Sequence, residues 1–296
     1  MNALWSLWND VLLPAADSGL QRLLPEAWRD FRFMRYALLE CLFLAPVCAL
    51  MGVKVVNFRM AFFSDAISHS AFAGIAVGFL LAALRPEFDP RIAMIVFGLL
   101  VGLGIAVVRR RTDLSNDTVI GVFFSTVVAF GIAIITVGRR TGDFQRYLYG
   151  DILTLDAADL GLSALLAVLV LILMGCNFNR LTLIGLNDEL AASRGIPVRL
   201  HDYLFAVLLA LVVTASIRTT GILLVTAMLI VPAAAARNVA RSCGGMFWWA
   251  MAVGLLSAVA GTLASFSAWF DNVGTGAAIV LAAAACFAVS LLLARR

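Results

Sequence analysis

Residues 277–293 read AAIVLAAAACFAVSLLL, seventeen consecutive positions without a charge. At about 1.5 Å per residue, such a run comes close to the roughly 20 residues a helix needs to cross a hydrocarbon core. It lacks the alternating polarity, over segments of about ten residues, that marks a transmembrane barrel strand. Residues 204–217, LFAVLLALVVTASI, are of the same kind. Across the whole chain 62% of residues are hydrophobic and 14% charged, whereas about a quarter are charged in soluble domains. The reading is an all-α, polytopic transmembrane helix bundle.

Working outward from these two runs, nine spans are predicted, at roughly 36–56, 64–84, 91–108, 118–138, 157–175, 203–217, 220–236, 246–266 and 274–294. The sixth and seventh are separated only by Arg218 and Thr219, so one of them could be a broken or re-entrant helix and the count eight. Gly98, Gly102 and Gly104 suit close helix packing, because small residues let backbones approach in lipid. Pro232 lacks an amide donor and is expected to kink its helix.

The net charge of +4 comes almost wholly from arginine, Lys54 being the lone lysine. With no soluble basic domain, this charge suits lipid headgroups and cytosolic loops, not nucleic acid. Lys54 and Arg59 read as headgroup anchors. Cys41, Cys48, Cys176, Cys243 and Cys286 lie in apolar stretches without a CxxC pair, and read as neither disulfides nor zinc ligands. Residues 1–30 are not expected to form a signal peptide, because Asn9, Asp10 and Asp17 interrupt the apolar stretch and no short positive head precedes it. Their Trp5, Trp8 and Trp28 suggest an interfacial extension, residues 1–31, with residues 32–296 forming one transmembrane domain.

Basic loops tend to stay in the cytoplasm. Placing Arg109-Arg110-Arg111 inside also places Arg59, Arg180, Arg194, Arg199, Arg237, Arg241, Arg295 and Arg296 there. The N-terminus is then outside and the C-terminus cytoplasmic, with the chain multi-pass in the plasma (inner) membrane. Arg139, Arg140, Arg146 and the four arginines of the N-terminal tail run against the bias. The longest interior connection is 177–202, in which Asn187 is a candidate N-cap and Arg194-Gly195 a helix stop. The short polar helix between them is either an ordinary solvated loop helix or a docking surface for a cytosolic partner.

Ionisable groups within a span are costly unless paired or hydrated, and so point to function. Asp65 and His69, four residues apart, share one helical face at roughly 6 Å. A carboxylate oxygen and an imidazole nitrogen suit a borderline divalent ion such as Zn²⁺, Mn²⁺ or Fe²⁺. Two ligands are too few; a second subunit across a two-fold axis would supply two more. The alternative is an Asp65–His69 ion pair that caps the helix. Glu40, deep in the first span, is a candidate for a hydrated pathway or a partner to a neighbouring helix. His201 reads as a solvated loop residue, and Asp113 and Asp117 as local partners of Arg109–Arg111. Lys54 is followed by Val55, not the Ser or Thr that ends a phosphate-binding loop, so if ATP drives this protein another chain must bind it.

The stretch RMAFFSDAISHSAFAGIA at 59–76 resembles the permeases of zinc, manganese and iron ABC importers, with their basic residue followed by Asp-Ala-x-Ser-His and Gly-x-Ala. The resemblance continues in order through Asp117-Thr118, Ile120-Gly121, Phe124-Ser125, Gly150-Asp151-Ile152-Leu153, Asp188, Leu190-Ala191, Gly195, Gly221–Val225 and Pro232–Ala236. Members often carry Pro where Ala73 stands, and residues 1–31 extend beyond their usual start. The resemblance implies the ABC importer permease fold, with Asp65 and His69 coordinating the transported metal and no permanently bound cofactor. It implies that Asp188, Glu189, Arg194 and Gly195 meet a cytosolic ATPase subunit carrying the ATP. It further implies a second permease copy or paralogue and an extracytoplasmic metal-binding protein, with membrane lipids around the complex. Two rival classes are a proton-coupled secondary transporter relaying through Glu40, Asp65 and His69, and an intramembrane metalloenzyme, which lacks an evident nucleophile.

Overall fold

The computed structural model describes residues 5, 8–23, 31–138, 154–265 and 273–294. Among them every regular element is helical. A π-turn at Trp8–Leu12 leads into α1 (Leu13–Leu23), followed by α2 (Arg32–Asn57), α3 (Ala61–Leu84), α4 (Pro90–Arg111), α5 (Asn116–Gly138) and α6 (Ala157–Leu186). The short α7 (Asp188–Ser193) then precedes α8 (Val198–Val239), α9 (Cys243–Ser265) and α10 (Thr275–Leu293). Eight of these helices are long and apolar enough to cross a membrane. In lipid every backbone polar group must be bonded within its own segment, which a helix achieves and an irregular chain does not.

Two of the eight, α2 and α8, make the core: 78% and 72% of their apolar windows are buried, against 50% or less in the others. The outer helices turn residues such as Leu100, Leu165, Ile172, Leu256 and Leu292 outward, the surface a bilayer would cover.

At 42 residues, α8 would measure about 63 Å as one straight rod, roughly two hydrocarbon thicknesses. Its contacts show that it folds back. Phe205 packs edge-on to Phe58, just beyond the end of α2, with ring centroids 5.2 Å apart. Thr219 donates to Glu40 near the start of α2 at 2.9 Å. The chain then returns, so that Leu229 and Ala233 press against Gly52 close to the end of α2, where a Cβ would lie 2.0 Å from the Leu229 carbonyl oxygen. The reversal is at Gly221, with φ 80° and ψ 163°, a region open essentially to glycine alone. The non-helical dihedrals fall there and not at Pro232. Residues 198–220 and 222–239 are therefore antiparallel arms, and the described residues cross the bundle nine times.

Helix ends follow local chemistry. Asp89 accepts from the Arg91 amide at 2.9 Å with Pro90 in the first turn, and Asp156 accepts from Asp159 at 2.8 Å. Asn187 caps α7 through the Leu190 amide at 2.9 Å. Gly195 closes α7 with φ 75°, its amide bonding Ala192 while the Ile196 amide bonds Ala191, the paired bonds of a Schellman ending.

The connection expected at 177–202 is much shorter than its polarity suggested. Helix α6 continues to Leu186, burying Leu181 and Ile184 and leaving Asn179 and Arg180 exposed, so only residues 187–197 link it to α8 and most of these are α7. The nine crossings sort the ends. Arg59, Arg109–Arg111, Arg180, Arg194, Arg199, Arg237 and Arg241 share one, the basic end. Arg22, Arg32, Arg35, Arg85, Arg91 and Arg218 share the far end, where α1 packs Leu13 against Tyr36, Leu39 and Leu160. Trp28, Arg139, Arg140, Arg146, the 150–153 motif, Arg295 and Arg296 lie outside the described residues.

Candidate metal centre

Helix α3 begins after Met60 and buries Phe63, Ser64, Ala66, Ile67 and Ser68. That leaves a stripe on its other side, in which Asp65 and His69 are half-buried and Phe62 is 63% exposed. Among the described residues, Asp65 and His69 make neither a hydrogen bond nor an ion pair, to each other or to anything else. The helix-capping ion pair is thus not formed. His69 stands edge-on to Phe124 of α5, ring centroids 5.0 Å apart and planes at 83°. Phe124 fixes the imidazole's plane without occupying its nitrogens.

The neighbouring hydroxyls are committed elsewhere. Ser64 donates to Ala61, Ser68 to Ser64 and Ser70 to Ile67, all backbone carbonyls of α3 itself. No cluster of three or more His, Cys, Asp or Glu side chains able to hold a metal exists among the described residues. What the chain presents is a carboxylate and an imidazole, one turn apart, unpaired on a partly open stripe: half a coordination sphere for a borderline divalent ion.

Glu40 belongs to a different cluster. It is fully buried, and its Oε1 accepts from Ser163 of α6 and Thr219 of α8, both at 2.9 Å. Its Oε2 is buried without a partner. Beside it Arg218 pairs with Asp159 at 2.6 Å. Glu40 therefore joins α2, α6 and the α8 turn near the far end, whereas Asp65 and His69 open toward α5.

The basic end holds a second polar constellation. Arg110 bonds Asp188 of α7 at 2.7 Å and closely contacts Asp202 of α8, which Arg109 also meets at 2.9 Å. These residues, with Asn57, Arg59 and Asn116, line a cavity of about 390 Å³. The local pairing expected of Asp113 and Asp117 with the arginines is absent among the described residues; distant elements provide the carboxylates instead. His201 is no solvated loop residue: 3% exposed, it sits in the first turn of α8 with Nδ1 2.9 Å from the Pro197 carbonyl. Lys54 is no headgroup anchor either. It is fully buried, donates to the Phe178 carbonyl at 3.0 Å and to the Thr182 hydroxyl, and lies 3.7 Å from the Phe178 ring centroid. Its isolation as the lone lysine was the one signal that could have singled it out. Asp202 carried a similar signal, an acid at the threshold of a long apolar run.

Leu186, Leu190 and Leu200, exposed at 73%, 46% and 63%, lie on the same end of the bundle as Glu189 and Arg194. Such an apolar trio in a polar rim fits a protein contact.

Residues 30–294 match the ABC 3 transport family. The chain is 33% identical over 265 residues to the manganese import system permease protein ScaB of Streptococcus gordonii, covering 90% of this chain and 92% of that one. It is 31% identical to the high-affinity zinc uptake system membrane protein ZnuB of Haemophilus influenzae, covering 88% and 97%. The solved structure of PsaBC from Streptococcus pneumoniae in complex with Fab superposes with a TM-score of 0.77 at 32% identity, over 91% of this chain and 94% of that one.

Proposed function

From the chain's membership of the ABC 3 transport family, a family of transport permeases and not of enzymes, we propose that it is the membrane-spanning permease of an ATP-driven importer of a divalent transition metal. Manganese, zinc and iron are ions named for its relatives, and the Asp–His donor set accommodates all three. The observation that carries the reading is the unpaired state of Asp65 and His69. Leaving an ionisable group unpaired within a span costs several kcal/mol by most scales, and an ion passing between two such stripes would offset it. A second copy or paralogue supplies the other Asp and His, so the path runs between two permeases along α3.

By the bias of basic residues toward the cytoplasm, the end bearing Arg59, Arg109–Arg111, Arg180, Arg194, Arg199, Arg237 and Arg241 is cytoplasmic, and with it the end of α10. The α7 segment, with Asp188, Glu189, Arg194 and Gly195 amid exposed Leu186 and Leu190, then docks the ATPase that holds ATP. An extracytoplasmic metal-binding protein delivers the ion at the far end.

A proton-coupled carrier would need Glu40, Asp65 and His69 in one relay, and Glu40 is bonded to α6 and α8 instead. The test is uptake of radiolabelled manganese or zinc into proteoliposomes holding the permease with its ATPase. ATP-dependent uptake that survives an uncoupler is expected. Uptake that needs no ATPase and collapses with the uncoupler would overturn the reading.

A further inference from the structure

We propose that Arg109 and Arg110 transmit motion from the ATPase-docking helix α7 to the metal-bearing helix α3, as positioning residues for transport; this rests on the function proposed above. The geometry is a chain of short, directional contacts. Arg110 forks between two carboxylates on different elements, Asp188 of α7 and Asp202 of α8. The guanidinium's planar fan of donors serves both carboxylates in fixed, divergent directions, a rigid fork that a lysine's compact ammonium on its flexible stem lacks. Arg109 shares Asp202 and also donates to the Met60 sulfur. Met60 is the residue from which α3 starts, five positions before Asp65.

Two features make this link stiff. Asp202 is 3% exposed, so separating it from both arginines would strand a buried charge, a costly event. Helices α3 and α4 are also in backbone contact, since a Cβ at Gly74 would lie 2.9 Å from the Met94 Cα and one at Gly78 2.6 Å from the Pro90 carbonyl oxygen. A displacement of α7 therefore cannot be absorbed by sliding of α4 on α3. It passes to the start of α3, where Asp65 and His69 stand within the first three turns. The side chains of Asp188 and Arg110 border the 390 Å³ cavity, which gives the pair room to shift while bonded.

The experiment uses the reconstituted permease–ATPase complex and reads metal uptake and ATP hydrolysis in the same vesicles. In Arg110→Gln and Arg109→Gln, hydrolysis by the assembled complex is expected to stay within about twofold of wild type while uptake per ATP falls about tenfold or more, a loss in the usual range of coupling between sites. Arg110→Lys, which keeps the charge without the rigid fork, is expected to fall between. If Arg110→Gln does not assemble, the isosteric Asp202→Asn is read by the same ratio. Uptake and hydrolysis that stay in proportion, whether both persist or both fall together, would overturn transmission. Absence of ATP-dependent uptake in the wild type would instead overturn the permease reading.

Discussion

Among the described residues, Lys54 and Glu40 are the two charged-type side chains with no exposed surface, and each ties α2 to α6. Lys54 makes no ion pair among the described residues, relying on a carbonyl, a hydroxyl and a ring face. Lys54→Met keeps the volume and is expected to change stability by less than about 1.5 kcal/mol. Lys54→Glu, which sets a carboxylate against the Phe178 carbonyl, is expected to cost about 3 kcal/mol or more. Unfolding midpoints in detergent check both, and tolerance of both would return Lys54 to the membrane surface. At Glu40, Gln keeps an oxygen for Ser163 and Thr219, so Glu40→Gln should hold stability and uptake near wild type, whereas Glu40→Leu takes the acceptor from Ser163, Thr219 keeping the Ser216 carbonyl, at about 1–3 kcal/mol. A stable Glu40→Gln protein that fails to transport would place Glu40 back in the pathway. At this scale the sequence was readable where one helix decides the outcome. Asp65 and His69 share a face by spacing alone. The burial of Lys54 depends on Phe178 and Thr182, 124 and 128 residues away in the chain, whose approach no local pattern announces.

Among elements, the turn in α8 has the sharpest consequences. Gly221→Ala forces a Cβ into the region at φ 80° and ψ 163°, at an expected cost of about 1–3 kcal/mol. The reversal also fixes topology. Single cysteines replacing Arg199 and Arg241 should react with an impermeant thiol reagent from the same side of the membrane, and one replacing Arg85 from the other. Opposite-side labelling of Arg199 and Arg241 would mean eight crossings. The break between two spans was legible from Arg218-Thr219, and the structure moves it two residues on, because Gly221 and not the charge permits the dihedrals. The 177–186 extension of α6 was hidden because Asn177, Asn179 and Arg180 look like a loop, although Asn179 and Arg180 are the exposed side of a helix that buries Leu181 and Ile184, and Asn177 donates to the Leu173 carbonyl of the same helix.

For the whole molecule, apolar run lengths made the membrane bundle plain, and the ordered motifs made the family plain. The other half of the proposed metal site could not be read from one chain, since spacing gives two ligands, and no cluster of three or more His, Cys, Asp or Glu side chains stands among the described residues. On the basic end, charge reversal at Glu189 and Arg194, both exposed, should reduce co-purification of the ATPase several-fold, and unchanged recovery would move the docking surface elsewhere. The central claim is that two copies of the α3 stripe carry the ion. It is tested most directly by metal uptake and bound-metal stoichiometry in Asp65→Ala and His69→Ala complexes that still assemble with the ATPase. The account predicts about one ion per pair of permease chains in the wild type, and loss of both binding and uptake in each variant. Wild-type uptake in both variants would contradict it.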